Sequence, residues 1–193
     1  MNFIKMVDCL PQNLCDDIVH KAEVDDKSFT PSTILVHKDS KTGGYRTSSN
    51  GLLSSEHQQL VGEGLNRAIS LWSAEYAKFA DFIPLPGVSA NCSTWFEEPS
   101  FLRYREDQEY SWHIDAPLIP KGPEHIKAHE RLISVVCYLN DNFEGGETEV
   151  IDTLFTPVKG KALIFPSNWC YPHRACPVSK GTKYAITTWY HLV

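Results

Sequence analysis

The sequence predicts a mainly β chain with flanking α: a double-stranded β-helix, or jelly-roll, core with N-terminal helices packed outside. Two observations carry this prediction. After Gly87 the chain breaks into the runs NCSTWF, FLRYR, LISVVCYL, TEVI, KALIF and KYAITTWYHL, which are β-branched and aromatic and are separated by Pro, Gly, Asn or Asp. Before Gly87, apolar residues recur at helical spacing instead. At 193 residues and 42% hydrophobic content the chain can bury one sizeable core but not two. A single domain over residues 1–193 is expected, with 1–87 as helical support and mobile loop and 88–193 as the barrel.

Taken in order, Leu10, Leu14, Ile18 and Ala22 return every fourth position, with Pro11 where a first helical turn tolerates it, so a helix is expected from Leu10 to Ala22. A second helix is expected from about Ser55 to Phe82, its stripe formed by Leu60, Gly64, Ala68, Leu71 and Tyr76 and its end set by Pro84 and Pro86. Between them HKDSKTGGYRTSSNG is polar and rich in Gly and Ser, which reads as a loop long enough to move. No internal repeat or low-complexity segment interrupts the pattern.

Composition narrows the possible roles. A formal net charge of −6 argues against broad binding to a nucleic-acid backbone, because such affinity depends on clustered cations that release counterions. The opening MNFIKMVDCL lacks the apolar run of a signal peptide, and no stretch reaches the roughly 18 apolar residues of a membrane span. A soluble, cytoplasmic protein with no membrane partner is expected. Six cysteines scattered through a chain of this size suit reduced thiols better than a disulfide framework.

The chemistry concentrates in four residues. Tyr110, Trp112 and Ile114 alternate with Ser111, His113 and Asp115, so an extended backbone projects His113 and Asp115 from one face. His173 follows after a long gap, as a ligand from a distant strand would, and Lys183 lies ten residues beyond it. Two imidazoles and one carboxylate can occupy one face of a ferrous ion and leave the other open to a co-substrate and dioxygen. A structural zinc site from Cys170, His173 and Cys176 lacks a convincing fourth ligand.

The stretch Tyr104, Gln108, Tyr110, His113, Asp115 resembles the metal-site signature of the prolyl 4-hydroxylase family of iron(II)- and 2-oxoglutarate-dependent dioxygenases, whose core is a cupin-like barrel. Arg131, Ser134, Tyr138, Leu139 and Asn140 resemble that family's Arg-x-x-Ser/Thr-x-x-x-Tyr-Leu-Asn strand, and Gly145, Gly146 and Thr148 its Gly-Gly-x-Thr turn. His173, Lys183, Trp189 and His191 are similar to its closing block, and Arg46, Thr47 and Ser48 to its Arg-x-Ser loop. The likeness therefore covers most of the chain.

The resemblance implies that His113, Asp115 and His173 ligate iron(II). It implies that Lys183 salt-bridges the distal carboxylate of 2-oxoglutarate, with the Tyr138 hydroxyl as second anchor and Tyr104 bonding the co-substrate or lining its pocket. Tyr110, Arg131 and Trp189 would face a peptidyl-proline substrate. The implied reaction consumes O2 and 2-oxoglutarate, releases succinate and carbon dioxide, and hydroxylates an unactivated C–H bond, with ascorbate as an accessory. A stand-alone catalytic domain of microbial or viral type is expected. Exposed barrel edges permit an oligomer without specifying one.

Other readings have their own marks. A hydroxylase of free amino acids or other small metabolites would keep the iron and 2-oxoglutarate parts and differ in the outer pocket. A barrel that binds or senses without catalysis is disfavoured because all three ligands and the lysine are present, and a nucleic-acid demethylase is disfavoured by the acidic charge. Trp189 could instead fill the core, and Arg131 could pair with Glu130 or Glu124. Asp107 stands where the family's Tyr-x-x-Gly-Gln motif has glycine, so the turn must tolerate a carboxylate. Gly43 to Asn50 and Pro117 to Glu130 are expected to form a lid.

Overall fold

Alternation sorts the second half of the chain into an inward and an outward set of side chains. The structure is a computed structural model that describes residues 2–25, 28–32, 34–36, 39–41, 45–89, 94–116 and 131–192. Its first elements are β1 (Lys5–Asp8), α1 (Gln12–Val24), β2 (Thr30–Pro31), β3 (Ile34–Val36), β4 (Asp39–Lys41), β5 (Ser49–Gly51) and α2 (Ser55–Glu75). Then come β6 (Thr94–Phe96), β7 (Ser100–Tyr104), β8 (Tyr110–His113), β9 (Arg131–Tyr138), β10 (Glu144–Gly145) and β11 (Thr148–Val150). Last are β12 (Thr153–Phe155), β13 (Lys161–Pro166), β14 (His173–Ala175), β15 (Val178–Lys180) and β16 (Lys183–Leu192).

The major sheet runs β1-β13-β9-β16-β7-β5-β2, with β6 also paired to β16, and the minor sheet runs β12-β11-β14-β8. All these pairings are antiparallel, which gives the jelly-roll its two walls. On β9, Ile133, Val135 and Cys137 are buried on the helix side, while Ser134, Val136 and Tyr138 face the other way. On β16, Tyr184, Ile186 and Tyr190 join the helix-side core, and Lys183, Ala185, Thr187 and Trp189 line the cavity between the walls.

The helices differ in detail from the sequence expectation. Pro11 is the N-cap of α1 and not a residue of its first turn. In α2 the Ser54 hydroxyl accepts from the His57 N–H and closes the first turn. The buried stripe is Val61, Leu65, Ala68, Ile69 and Trp72, whereas Leu60 and Leu71 are exposed. Gly64 is needed where α2 crosses the segment after β1, since a Cβ there would meet the Cys9 carbonyl oxygen at 2.8 Å. The helix stops at Glu75, short of Phe82; at its C-cap the Tyr76 ring packs at a tilt on Phe3 and its hydroxyl donates to the Asn2 carbonyl.

The N-terminal part is more than helical support. β1 extends one end of the major sheet, and β5 and β2 extend the other. The segment read as a loop contains β4 and β5, and residues 45–47 are fastened along β8. The Ser111 N–H donates to the Tyr45 carbonyl, and the Thr47 N–H to the Glu109 carbonyl. Of the expected lid, Gly43, Gly44 and the whole of Pro117 to Glu130 lie outside the described residues.

Candidate metal and co-substrate site

The three candidate ligands converge because two strands of the minor sheet meet in register. His113 on β8 stands directly opposite His173 on β14, and Asp115 follows two residues past His113. His173 Nε2 lies 3.3 Å from Asp115 Oδ2 and His113 Nε2 lies 3.6 Å from Asp115 Oδ1. All the ligand atoms fall within 4.8 Å of one another. Among the described residues, no other group of three or more His, Cys, Asp or Glu side chains converges this way, and Cys170 is exposed.

Backbone and hydroxyl groups orient each ligand. His113 Nδ1 donates to the Ser111 carbonyl at 2.8 Å and His173 Nδ1 to the Tyr171 carbonyl at 3.1 Å, which turns both Nε2 lone pairs toward the shared centre. Burial, reinforced by His173, pushes the His113 pKa down to about 4, so its ring is neutral. Burial opposes charge on Asp115, but His173, His113 and the Ser134 hydroxyl together outweigh it and hold its pKa below the ordinary carboxylate range. Ser134 donates to Asp115 Oδ2 at 2.6 Å and lies 2.8 Å from the Ser167 hydroxyl. Two imidazoles and one carboxylate, with a cavity on their far side, fit ferrous iron.

Lys183 faces this centre from the major sheet. It is completely buried, and burial pushes its pKa down to about 8. Its ammonium donates to the Gly146 carbonyl at 2.6 Å, and among the described residues no carboxylate pairs with it. The Tyr104 and Tyr138 ring centres lie 5.3 and 5.4 Å from Nζ. Tyr104 lines the cavity beside Lys183. The Tyr138 hydroxyl donates to Thr148 Oγ1 at 2.8 Å, and Thr148 lines the cavity beside Lys183.

The three residues expected to face substrate all line the same cavity of about 650 Å3. Tyr110 stacks on His113 with ring centres 3.6 Å apart. Strict alternation would place Tyr110 with Trp112, but the pairing of β8 with β14 slips between His173 and Ala175, and Trp112 is exposed while Tyr110 lines the cavity. The Arg131 guanidinium lies 3.6 Å from the Trp189 ring centre and is held by Glu97 through Nε and Nη2, at 2.6 and 2.8 Å. The expected partners Glu124 and Glu130 lie outside the described residues. His191 also approaches Glu97, with Nε2 to Oε1 at 2.6 Å.

Several lining residues were not singled out by sequence reasoning as part of the site. Arg46 and Arg174 reach the cavity, and Glu97 holds Arg131 from behind. Arg46 and Thr148 were visible within quoted motifs, but nothing in their spacing gave them a role. Asp107 does sit in the left-handed region, at φ 62°, so the turn usually built with glycine forms here with a carboxylate residue.

Comparison with known proteins agrees with this geometry. Residues 99–191 match the model described as the 2OG-Fe(II) oxygenase superfamily. A PKHD-type hydroxylase from Alteromonas mediterranea is 36% identical over 98 residues, which is 47% of this chain and 42% of that protein. The chain spans less than half the length of such curated relatives. A protein named probable prolyl 4-hydroxylase 9 from Arabidopsis thaliana is 28% identical over 91% of this chain and 63% of its own length. Among solved structures, the viral collagen prolyl hydroxylase of Paramecium bursaria Chlorella virus-1 superposes with a TM-score of 0.68 at 20% identity, over 100% of this chain and 97% of that one, a likeness of fold. Residues 99–191, which hold the His-Asp-His centre, are thus similar to the 2OG-Fe(II) oxygenase superfamily over just under half of the chain, and the two-wall barrel shares the fold of the solved prolyl hydroxylases.

Proposed function

We propose that the protein is an iron(II)- and 2-oxoglutarate-dependent dioxygenase that hydroxylates prolyl residues in peptides or proteins, with release of succinate and carbon dioxide. The observation that carries this reading is the placement of the His113, Asp115, His173 centre and the buried Lys183 on the wall of one cavity. Bound ferrous iron would supply the activation of dioxygen coupled to oxidative decarboxylation of the keto acid.

The chain's own residues bind, orient and exclude water. Asp115 stays ionised and the His113 imidazole stays neutral, so no proton competes with the metal at these two ligands. Lys183 replaces the hydration that the distal carboxylate of 2-oxoglutarate loses on entering the barrel. The Thr148 hydroxyl, oriented by Tyr138, and the Tyr104 side chain flank that carboxylate. Tyr110 and Trp189 offer aromatic faces suited to a proline ring, and the Glu97–Arg131 pair fixes the Trp189 side of the mouth. The names of the Arabidopsis relative and the viral neighbour support a prolyl target.

Ascorbate would serve as accessory reductant. No helix of the described residues is long and apolar enough to cross a membrane. The thiols of Cys9, Cys15, Cys137, Cys170 and Cys176 are unpaired, which suits a reducing compartment, and we place the protein in the cytoplasm.

The test is an anaerobic titration with iron(II) and 2-oxoglutarate, followed by succinate release and mass spectrometry with proline-rich peptides and with free proline. A charge-transfer band and one added oxygen per peptide are expected. Turnover of free proline alone would move the substrate to the small-metabolite class. Absence of succinate with iron supplied would leave a barrel that binds without catalysis.

A further inference from the structure

Among the described residues, the cavity is lined by four cationic side chains, Arg46, Arg131, Arg174 and Lys183, against one carboxylate, Asp115. Two of the cations are already neutralised from outside. Arg131 is held by Glu97 through two nitrogens, and Arg174 is bonded to Glu149 at 2.6 Å. Lys183 is assigned to the co-substrate. With ferrous iron and dianionic 2-oxoglutarate in place, the formal charges of the metal, Asp115, Lys183 and the keto acid cancel. Among the described residues, Arg46 is then left as an uncompensated positive charge beside the open part of the cavity.

Arg46 is held in position. Its Nε donates to the Ser48 hydroxyl at 3.1 Å, and the buried Ser48 hydroxyl in turn donates to the Ser32 hydroxyl at 3.0 Å. The backbone around it is bonded to β8, with Arg46 bridged to Tyr110. The guanidinium lies 4.8 Å from the centre of the Tyr110 ring, the same ring that stacks on the metal-ligand candidate His113. Among the described residues Arg46 has no carboxylate partner. Its terminal nitrogens therefore reach the cavity already oriented, desolvated on the ring side and free to accept an anion.

We propose that Arg46 is a specificity-determining residue that selects substrates carrying a carboxylate close to the hydroxylated position. The inference rests on the dioxygenase reading of the cavity and adds a charge requirement to it. Two sources supply that chemistry: an acidic side chain next to the target residue in a peptide, or the terminal carboxylate of a peptide or free amino acid.

The test compares matched probes in wild-type protein and in the variants Arg46→Gln and Arg46→Lys, each loaded with iron and 2-oxoglutarate. One arm sets an internal Pro-Glu peptide, blocked at both ends, against its Pro-Gln isostere; the other sets a peptide ending in a free carboxylate, and free proline, against the amides. Equilibrium binding is read anaerobically by tryptophan fluorescence, and succinate release is read separately. Wild type should favour the charged probe of one arm by about tenfold or more. Arg46→Gln should collapse that ratio toward one, and Arg46→Lys, which keeps the cation, should keep most of it. Equal binding of charged and neutral probes by wild type, or a preference that survives in Arg46→Gln, overturns the proposal. So does a loss in Arg46→Gln that falls on 2-oxoglutarate affinity instead of on the probe ratio. Charge-dependent binding without succinate would instead uphold Arg46 and defeat the dioxygenase reading.

Discussion

Lys183 meets two opposing demands. The barrel buries it completely and lowers its pKa to about 8, yet a dicarboxylate needs it protonated. The sign follows from linkage: in the free protein the ammonium is present below about pH 8 and is lost above it, so 2-oxoglutarate affinity should fall as pH rises beyond 8. Calorimetric titrations between pH 7 and 10 should show a decline approaching about tenfold per pH unit. A flat profile would contradict the assignment. Because the unfolded lysine titrates near pH 10.4, the ligand-free protein should also gain stability across that same interval. Lys183→Ala should weaken 2-oxoglutarate binding by about 100-fold with little change in iron binding, whereas Asp115→Ala should remove the metal and its charge-transfer band. Equal losses of metal and keto acid in Lys183→Ala would contradict its role. The candidates His113, Asp115, His173 and Lys183 were legible in the sequence because metal and carboxylate chemistry allows few side-chain types. Glu97 was not legible, because it meets Arg131 through the pairing of separate strands, which residue spacing does not encode.

Turns, as much as strands, set where the reactive groups point. Gly146 has φ 67°, and a Cβ there would meet Val178 Cγ2 at 3.1 Å and Lys183 Cδ at 3.3 Å. Gly146→Ala should therefore cost about 1–2 kcal/mol in urea unfolding and weaken 2-oxoglutarate binding at the same time. Unchanged keto-acid affinity in a folded variant would show that the turn does not position the lysine. Asp107 presents the opposite case. Replacing it with glycine relieves a left-handed residue and should stabilise the fold by about 0.5–1 kcal/mol, measured by the same unfolding midpoint. The long strands β9, β13 and β16 announce themselves through β-branched and aromatic runs. The two- and three-residue strands β2, β4 and β5 do not, since so few residues carry no period, and they owe their form to the neighbours they pair with.

At the scale of the molecule, α2 acts as a buttress behind the major sheet. Leu65 is fully buried against that face, so Leu65→Ala should lower stability by about 3 kcal/mol without altering the charge-transfer band. A lost band in a folded variant would mean that the helix governs the metal site directly. The helix-side core was legible only approximately: the expected stripe and the observed one share Gly64 and Ala68 but differ by one position at Val61 and Trp72, a shift that a helix's 3.6-residue period readily hides.

The metal candidates belong to the minor wall and the lysine to the major wall. A keto acid gripping both would work as a rivet through two plates, adding a tie across the barrel interior to the backbone bonds that fasten residues 45–47 along β8. Slower amide exchange in β8 and β14, appearing only when metal and keto acid are added together, would be the mechanical signature of that fastening.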